Sequence, residues 1–170
     1  GILGDYPEIC AGGGIVAGIP YGCASGLVSG LRCQLWGRDL EPTEWGHLIR
    51  EAIAQTALKP QNWPLVSIWQ GDSDWVVDAD NAAELVEQWT ALQGIDPTSG
   101  LEEVSSGYSH RVYRDSTGRA RVEFYLIAGM GHGQPIDPGT AETQCGVSSD
   151  YMFPVGLCAS YQMTRFWGLA

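Results

Sequence analysis

The chain has 170 residues, with 9 basic against 20 acidic side chains, and its formal net charge is −11. This length predicts one domain with a substantial hydrophobic core. The negative charge argues against nucleic acid and anionic membrane surfaces as partners, and it favours a neutral substrate. No apolar run approaches transmembrane length. No signal peptide is recognisable, and because the chain opens without an initiator Met we expect a processed or truncated protein.

The first third of the chain is predicted to hold two helical segments and one strand. Residues 1–6 are typical of a helix end, which Pro7 would stop. The run AGGGIVAG at 11–18 predicts a buried central strand packed closely by helices. Residues 20–38 are Gly/Ser-rich and predict a long loop with at most a helical turn. A helix should begin at Thr43, as the N-cap, and continue to about Thr56.

The five cysteines predict local cross-links. Cys23 and Cys33 bracket the Gly/Ser-rich loop, and Cys145 and Cys158 bracket another loop before the last predicted helix. Such spacings fit disulfides formed in an oxidising compartment, with buried free thiols as the alternative. Cys10 is left over, either buried or paired outside this chain. None of the five forms a CxxC, so zinc-ribbon and thioredoxin interpretations are unsupported.

The stretch that organises the chain is LVSIWQGDSDWVV at 65–77. It predicts an apolar strand that ends at Gly71 and opens into an acidic turn carrying Asp74. A later stretch, YLIAGMGHG at 125–133, predicts a strand that runs into a glycine-rich turn carrying His132. Ligands of α/β proteins lie outside the carboxyl ends of the strands. An acid and a later histidine are two thirds of a Ser-His-Asp triad in the chain order of α/β-hydrolases, although no G-x-S-x-G occurs in these residues.

The remaining elements are predicted from pattern and turn residues. A helix should start at 78–80 and end at Gly94. Two extended segments, 104–114 and 119–127, should be joined by a hairpin-type loop. Residues 134–149 predict a loop, and 155–169 predict a final helix.

Several side chains near the two turns have competing interpretations. Asp72 is the rival acid, or it caps the turn. The glycines at 129, 131 and 133 should allow positive φ and close approach to substrate. The alternative for His132 is a surface histidine in an ordinary glycine-rich loop. His110 is predicted to face solvent from its strand, and His47 to be a surface or a hydrogen-bonded core residue of its helix rather than a ligand.

Substrate contacts are predicted at two aromatic residues. Trp75 follows the acid and should form a wall of the cleft, whereas Trp69 and Trp89 are better interpreted as core. Tyr21 lies in the loop 19–23 after the first strand, and this loop should border the same cleft. The three histidines show no ligand spacing, so we expect no metal site and no cofactor.

These stretches, together with AGGGIVAGIPYGCA and the closing CASYQMTRFWGL, resemble the poly(3-hydroxybutyrate) depolymerase and feruloyl-esterase-like group of secreted α/β-hydrolases. The resemblance covers essentially the whole chain, and Q/H-G-x-x-D-x-x-V and GMGHG carry most of it. It implies an α/β fold, the C-terminal part of an α/β-hydrolase with a mostly parallel sheet flanked by helices. Residues 1–170 would be a single partial domain that lacks the N-terminal strands and the nucleophile elbow.

The resemblance also implies a function and a site. Asp74 matches the triad acid and His132 the triad base, while the serine and the oxyanion amides would lie upstream. We therefore expect hydrolysis of carboxylic esters in a polyester such as poly(3-hydroxybutyrate), outside the cell, with no activity from this chain alone. A separate N-terminal chain would then be a partner that supplies the serine.

Two alternatives stay open at this point. A feruloyl or acetyl xylan esterase of the same fold would act on plant cell-wall esters, and Gln134, where the family often has Trp, leaves that specificity undecided. A non-catalytic module would use its tryptophans to hold a polymer.

Overall fold

The computed structural model describes residues 2–55, 60 and 62–170, and these form a five-stranded sheet with helices on both faces. The strands, in spatial order, are β1 (Gly12–Val16), β2 (Leu65–Gly71), β5 (Ala120–Ile127), β4 (Tyr108–Arg114) and β3 (Leu101–Ser105). The first three are mutually parallel, whereas β4 and β3 are antiparallel to their neighbours. The predicted α/β class is confirmed. The sheet is mixed because β4 runs antiparallel to β5 across the predicted hairpin loop, and because the segment predicted as one strand, 104–114, itself turns back at Gly107.

Five α-helices and a small second sheet complete the described part of the chain. The helices are α1 (Ile2–Asp5), α2 (Leu27–Trp36), α3 (Pro42–Ala54), α4 (Asp80–Leu92) and α5 (Ala159–Phe166). A 3₁₀ turn follows α1 at Pro7–Ile9, and a parallel pair is formed by β6 (Gln134–Ile136) and β7 (Met152–Pro154). Within the described residues, no helix has the length and apolar character needed to cross a membrane.

The core has two layers because the strands of the main sheet are buried on both faces. On one face, Val66 and Ile68 of β2 pack with Trp89 of α4. On the other face, Trp69 of β2 packs with Tyr125 of β5 and with α5 through Met163. The predictions that Trp69 and Trp89 are core residues are confirmed. Because β1, β2 and β5 pair in parallel, all three end at the same edge of the sheet.

β1 differs from its prediction in position. The predicted buried central strand is an edge strand, bonded to β2 alone and only half-buried. The close packing predicted from its glycines is confirmed, because a side chain at Gly13 would collide with Leu3 of α1 and one at Gly14 with Met163 of α5. Small residues therefore let helices approach the strand closely while its outer edge stays open.

The prediction of a long loop over 20–38 is wrong, because residues 27–36 form α2. The Ser29 hydroxyl accepts hydrogen bonds from the backbone N–H groups of Ser25 and Gly26, which stabilises the start of the helix. Gly37 ends it with a φ of +64°. The Ser and Gly residues whose composition suggests a loop therefore lie at the two ends of a helix.

Two other helix ends were placed wrongly. α3 begins at Pro42, whose fixed φ suits the first helical position, and the N-cap is Glu41 rather than Thr43. The predicted end near Thr56 lies outside the described residues. The last helix begins at Ala159 rather than residue 155, because Cys158 is its N-cap and its sulfur accepts a hydrogen bond from the N–H of Tyr161.

Both predicted cysteine pairs form disulfides. Cys23–Cys33 ties α2 to the loop before it, and Cys145–Cys158 ties the loop after β6 to the start of α5. Cys10 is a half-buried free thiol. Gly94 ends α4 with a φ of +71° as predicted, and the hairpin loop at 115–118 joins β4 to β5.

Candidate active site

The acid-bearing turn leaves β2 at Gly71 and is built around Asp74. One oxygen of its carboxylate, Oδ1, accepts hydrogen bonds from the backbone N–H groups of Val76 (2.8 Å) and Val77 (2.9 Å). Such a turn, closed by its own aspartate, tolerates a tight change of chain direction. The Asp74 side chain is fully buried, so its charge must be matched by the donors around it.

The histidine-bearing turn leaves β5 and depends on glycine at two positions rather than three. Gly129 has a φ of +69°, which few other residues adopt. Gly133 has no positive φ, but a side chain there would collide with the carbonyl of Tyr151. Gly131 shows neither requirement. The prediction of positive φ is therefore confirmed at the first glycine and wrong at the other two.

The two turns are tied to each other by hydrogen bonds. The N–H of Ser73 donates to the carbonyl of Met130 (3.1 Å), and the N–H of Gly129 donates to Oδ1 of Asp72 (2.7 Å). Gly71 permits this approach, because a side chain there would collide with the Met130 carbonyl. Asp72 thus clamps one turn to the other, while His132 contacts Asp74.

The clamp brings together the two residues predicted to work as a pair. Nδ1 of His132 lies 2.9 Å from Oδ2 of Asp74. Burial of the Asp74 carboxylate raises its pKa, but the N–H groups of Val77 and Val76 and the His132 ring outweigh burial, so the pKa is lowered overall. An ionised acid at Nδ1 keeps the proton on that nitrogen and leaves Nε2 able to accept one. The described residues offer Nε2 no hydrogen-bond partner.

His132 opens onto a cleft of about 460 Å³. Its walls are mainly aromatic and apolar: Trp75 and Val76 follow the acid, and Tyr151 and Phe153 come from the loop and strand before α5. Ser149 and Asp150 add a hydroxyl and a carboxylate to the lining. Trp75 is 90% exposed, so its indole is available for contact. The predicted placement of Trp75 beside the histidine therefore agrees with the geometry of the cleft, whereas its contact with substrate stays a prediction.

Tyr151 was missed by sequence reasoning. Its backbone lies in the left-handed region at a φ of +63°, which for a non-glycine residue costs about 1–3 kcal/mol and often marks a functional site. Its ring meets the His132 ring edge-on, with centroids 6.1 Å apart. Tyr151 belongs to a Pro/Gly-rich loop without periodicity, so no sequence pattern connects it to the histidine.

Tyr21 lies elsewhere than predicted. It lines a larger cavity of about 830 Å³ beside β1 and α1, and it is absent from the walls of the His132 cleft. Its hydroxyl donates a 2.7 Å hydrogen bond to Asp5, which raises the pKa of Tyr21 to about 12. We place the chemistry in the smaller cleft because the acid–histidine pair is there.

His110 differs from its predicted solvent-facing position, whereas His47 is exposed on α3, which is the first of its two predicted alternatives. Nε2 of His110 lies 3.0 Å from Oε2 of the buried Glu123, and its ring stacks on Tyr125 at a centroid distance of 4.0 Å. In residues 2–55, 60 and 62–170, no group of three His, Cys, Asp or Glu side chains is placed to hold a metal ion.

Known proteins resemble the chain in sequence and in fold. It is 41% identical over 165 residues to a poly(3-hydroxyalkanoate) depolymerase C from Paucimonas lemoignei, covering 96% of this chain and 39% of that protein. It is 27% identical over 143 residues to a feruloyl esterase B from Talaromyces stipitatus, covering 80% of this chain and 38% of that protein. The chain therefore spans less than half the length of these relatives. No protein-family model matches it.

The fold is also found among solved structures. An acetyl xylan esterase from Aspergillus awamori superposes with a TM-score of 0.72 at 17% identity, covering 99% of this chain and 54% of that one. At this identity the similarity concerns the fold alone, and it agrees with the mixed sheet and flanking helices described above.

Proposed function

We propose that this chain, which belongs to the poly(3-hydroxybutyrate) depolymerase and feruloyl-esterase-like family of α/β-hydrolases, supplies the acid and the base of a Ser-His-Asp triad that hydrolyses carboxylic esters. The observation that carries the proposal is the 2.9 Å contact between Asp74 and His132 at the mouth of an aromatic cleft. A buried, ionised acid on one ring nitrogen and an open cleft on the other are what a general base of this kind requires.

In the proposed reaction, the serine comes from outside these 170 residues. Nε2 of His132 takes the hydroxyl proton as the serine oxygen attacks the ester carbon, and Asp74 stabilises the imidazolium that forms. The imidazolium then gives its proton to the departing alkoxide, which leaves an acyl-enzyme. A water molecule, deprotonated by the same nitrogen, attacks the acyl carbon and releases the acid and the serine.

The open edge of β1 supports the proposal that another polypeptide segment carries the serine. β1 bonds to a strand on one side only, and Gly14 in its middle is exposed. An unpaired strand edge readily accepts a further strand. The carboxyl end of β1 lies on the same edge of the sheet as those of β2 and β5, so a parallel strand added there would deliver its final residues towards His132.

We propose a polyester such as poly(3-hydroxybutyrate) as the substrate. Identity is higher to the poly(3-hydroxyalkanoate) depolymerase (41%) than to the feruloyl esterase (27%). Most of the cleft lining is apolar, including the exposed Trp75, and the carboxylate of Asp150 in that lining and the net charge of −11 suit a neutral polymer better than an acidic one. Two disulfides support secretion into an oxidising environment, where such a polymer would be met.

The proposal is tested with the protein at its natural length and a p-nitrophenyl ester. We expect His132→Ala to lower kcat by at least about 10³-fold, because the base is lost. The control is His47→Ala, which removes an exposed histidine from α3 and should leave kcat unchanged. Residues 1–170 alone should be inactive. Turnover by these residues alone, or undiminished turnover by the His132 variant, would contradict the proposed triad.

The substrate class is tested separately on solid polymers. Poly(3-hydroxybutyrate) film should release 3-hydroxybutyrate oligomers, whereas feruloylated and acetylated xylan should release little ferulate or acetate. A preference for the xylan esters would indicate that the enzyme acts on plant cell-wall esters, and it would leave the proposed triad unchanged. Binding to film without any product from any ester would favour a non-catalytic polymer-binding module.

A further inference from the structure

We propose that Gln70 is a positioning residue of the active site, whose side-chain amide holds the Asp74 carboxylate in the orientation that receives the His132 ring. This inference rests on the proposed function, because it assigns a role within the same acid–histidine pair. Gln70 is the penultimate residue of β2, four positions before the acid. Among the described residues, Gln70 does not line the His132 cleft, and it makes no hydrogen bond to His132.

Gln70 occupies a position where an apolar residue would be expected. Val66 and Ile68 share its face of β2 and are fully buried, and Gln70 itself is only 1% exposed. A buried primary amide loses its hydration, which destabilises the fold unless its polar atoms find partners. Its nitrogen Nε2 has three: Oδ2 of Asp74 at 3.1 Å and the carbonyls of Val77 and Gly71, each at 3.2 Å.

The orientation of this amide is fixed by its surroundings. The oxygen Oε1 of Gln70 is buried and has no hydrogen-bond partner among the residues that the structure describes. Exchanging the oxygen and the nitrogen would not help, because it would place Oε1 against the three acceptors that now surround Nε2. An unsatisfied buried acceptor destabilises a protein. This unsatisfied acceptor belongs to the same amide whose N–H group donates to the Asp74 carboxylate.

Both oxygens of the Asp74 carboxylate are thereby held. Oδ1 accepts from the backbone N–H groups of Val76 and Val77, while Oδ2 is shared between Gln70 and His132. Rotation of the carboxylate away from the ring would break the bond to Gln70 as well as the bond to the histidine. Gln70 therefore resists that rotation and keeps the acid aligned before any substrate arrives.

The first test replaces the donor with a side chain of similar volume, in Gln70→Met. In the protein at its natural length, the proton on Nδ1 of His132 should give a downfield NMR signal that broadens or disappears in this variant. On a soluble p-nitrophenyl ester, kcat should fall about tenfold with KM unchanged, since the base is misaligned while the cleft is intact. Gln88→Met, which removes an equally buried amide on α4, should leave the Nδ1 signal in place.

The second test uses pH. Gln70→Glu keeps the shape and places a carboxyl group against Oδ2 of Asp74. Below the pH at which the introduced carboxyl group ionises, its O–H group donates a hydrogen bond to Oδ2 of Asp74, so activity should be retained. Above that pH, two carboxylates repel each other and a new alkaline limb should cut kcat about tenfold. Gln88→Glu should show no such limb.

The outcomes separate this inference from the proposed function. An unchanged Nδ1 signal in Gln70→Met, together with parallel pH profiles for the two glutamate variants, would overturn the positioning role of Gln70. The NMR measurement needs neither ester nor serine. If His132→Ala retained activity while the Gln70→Met signal was lost, the triad proposal would fail and the structural link between Gln70 and Asp74 would stand.

Discussion

Two carboxylate–histidine pairs occur in the described part of the chain, and their contacts are almost the same length. Asp74 and His132 are separated by 2.9 Å, and Glu123 and His110 by 3.0 Å. The first pair sits on two turns beyond the ends of β2 and β5. The second pair sits within β5 and β4, beneath α5.

The two pairs differ in the residues that surround them. Glu123 also accepts a 2.6 Å hydrogen bond from Ser67, which in turn accepts one from the indole of Trp69. His110 is covered by the ring of Tyr125. His110 and Glu123 also line a cleft, of about 450 Å³, between the sheet and α5, whereas the His132 cleft lies beyond the strand ends. A short acid–histidine contact, even one that lines a cleft, is thus compatible with a structural or a catalytic role, and the position of Asp74 and His132 at the carboxyl ends of parallel strands favours the catalytic role for that pair.

The largest expected difference between the pairs is in catalysis. Asp74→Asn should lower kcat about 10⁴-fold, because an amide favours the wrong tautomer of His132. Glu123→Gln should change kcat by less than about threefold, because its amide still accepts from Ser67 and lies away from the His132 cleft. Steady-state kinetics on a soluble ester, with the protein at its natural length, measures both. Similar losses in the two variants would contradict this division of roles.

The second difference is in stability. Glu123→Ala should lower the free energy of unfolding by about 3 kcal/mol, because it leaves a cavity and strands the polar groups of Ser67 and His110. The control is Glu103→Ala on β3, whose side chain is exposed and whose loss should change stability by less than about 0.5 kcal/mol. Urea denaturation of the two variants gives the comparison. An effect no larger than that of the control would mean that the network adds little to the fold.

The smallest expected effect is on stability at acidic pH. The pKa of Asp74 is lowered in the folded state, so its stabilising contribution is complete above the unfolded pKa of about 3.9 and is lost as the pH falls through the folded value. Asp74→Asn removes that contribution. The two proteins should therefore differ more in thermal midpoint at pH 7 than at pH 3. A difference that stays constant over this range would show that the lowered pKa does not contribute to stability.

The sequence predicted the acid and the base because each follows an apolar strand and a turn, a pattern that is local in the chain. It did not predict α2, because Ser29 and the glycines at its ends have the composition of a loop. Gln70 entered only as the first residue of the Q/H-G-x-x-D-x-x-V motif, and its role was not predicted although it is a polar residue at the end of an apolar strand, four positions before the acid. Tyr151 carried none, since its contact with His132 depends on how the chain just before β7 packs against the histidine-bearing turn.

By itself, the sequence determined which residues could be the acid and the base, which cysteines were spaced so that they could pair, and that parallel strands would bring the two turns to one edge. Buried strands and turns are each specified by a few neighbouring residues, so both leave a recognisable pattern in the sequence. Only the tertiary structure decided that His132 meets Asp74 rather than Asp72, that His110 is packed against Glu123, and that Tyr21 lies away from the cleft. Those outcomes depend on contacts between residues distant in the chain, whose distances and burial are set by the packing of the whole sheet.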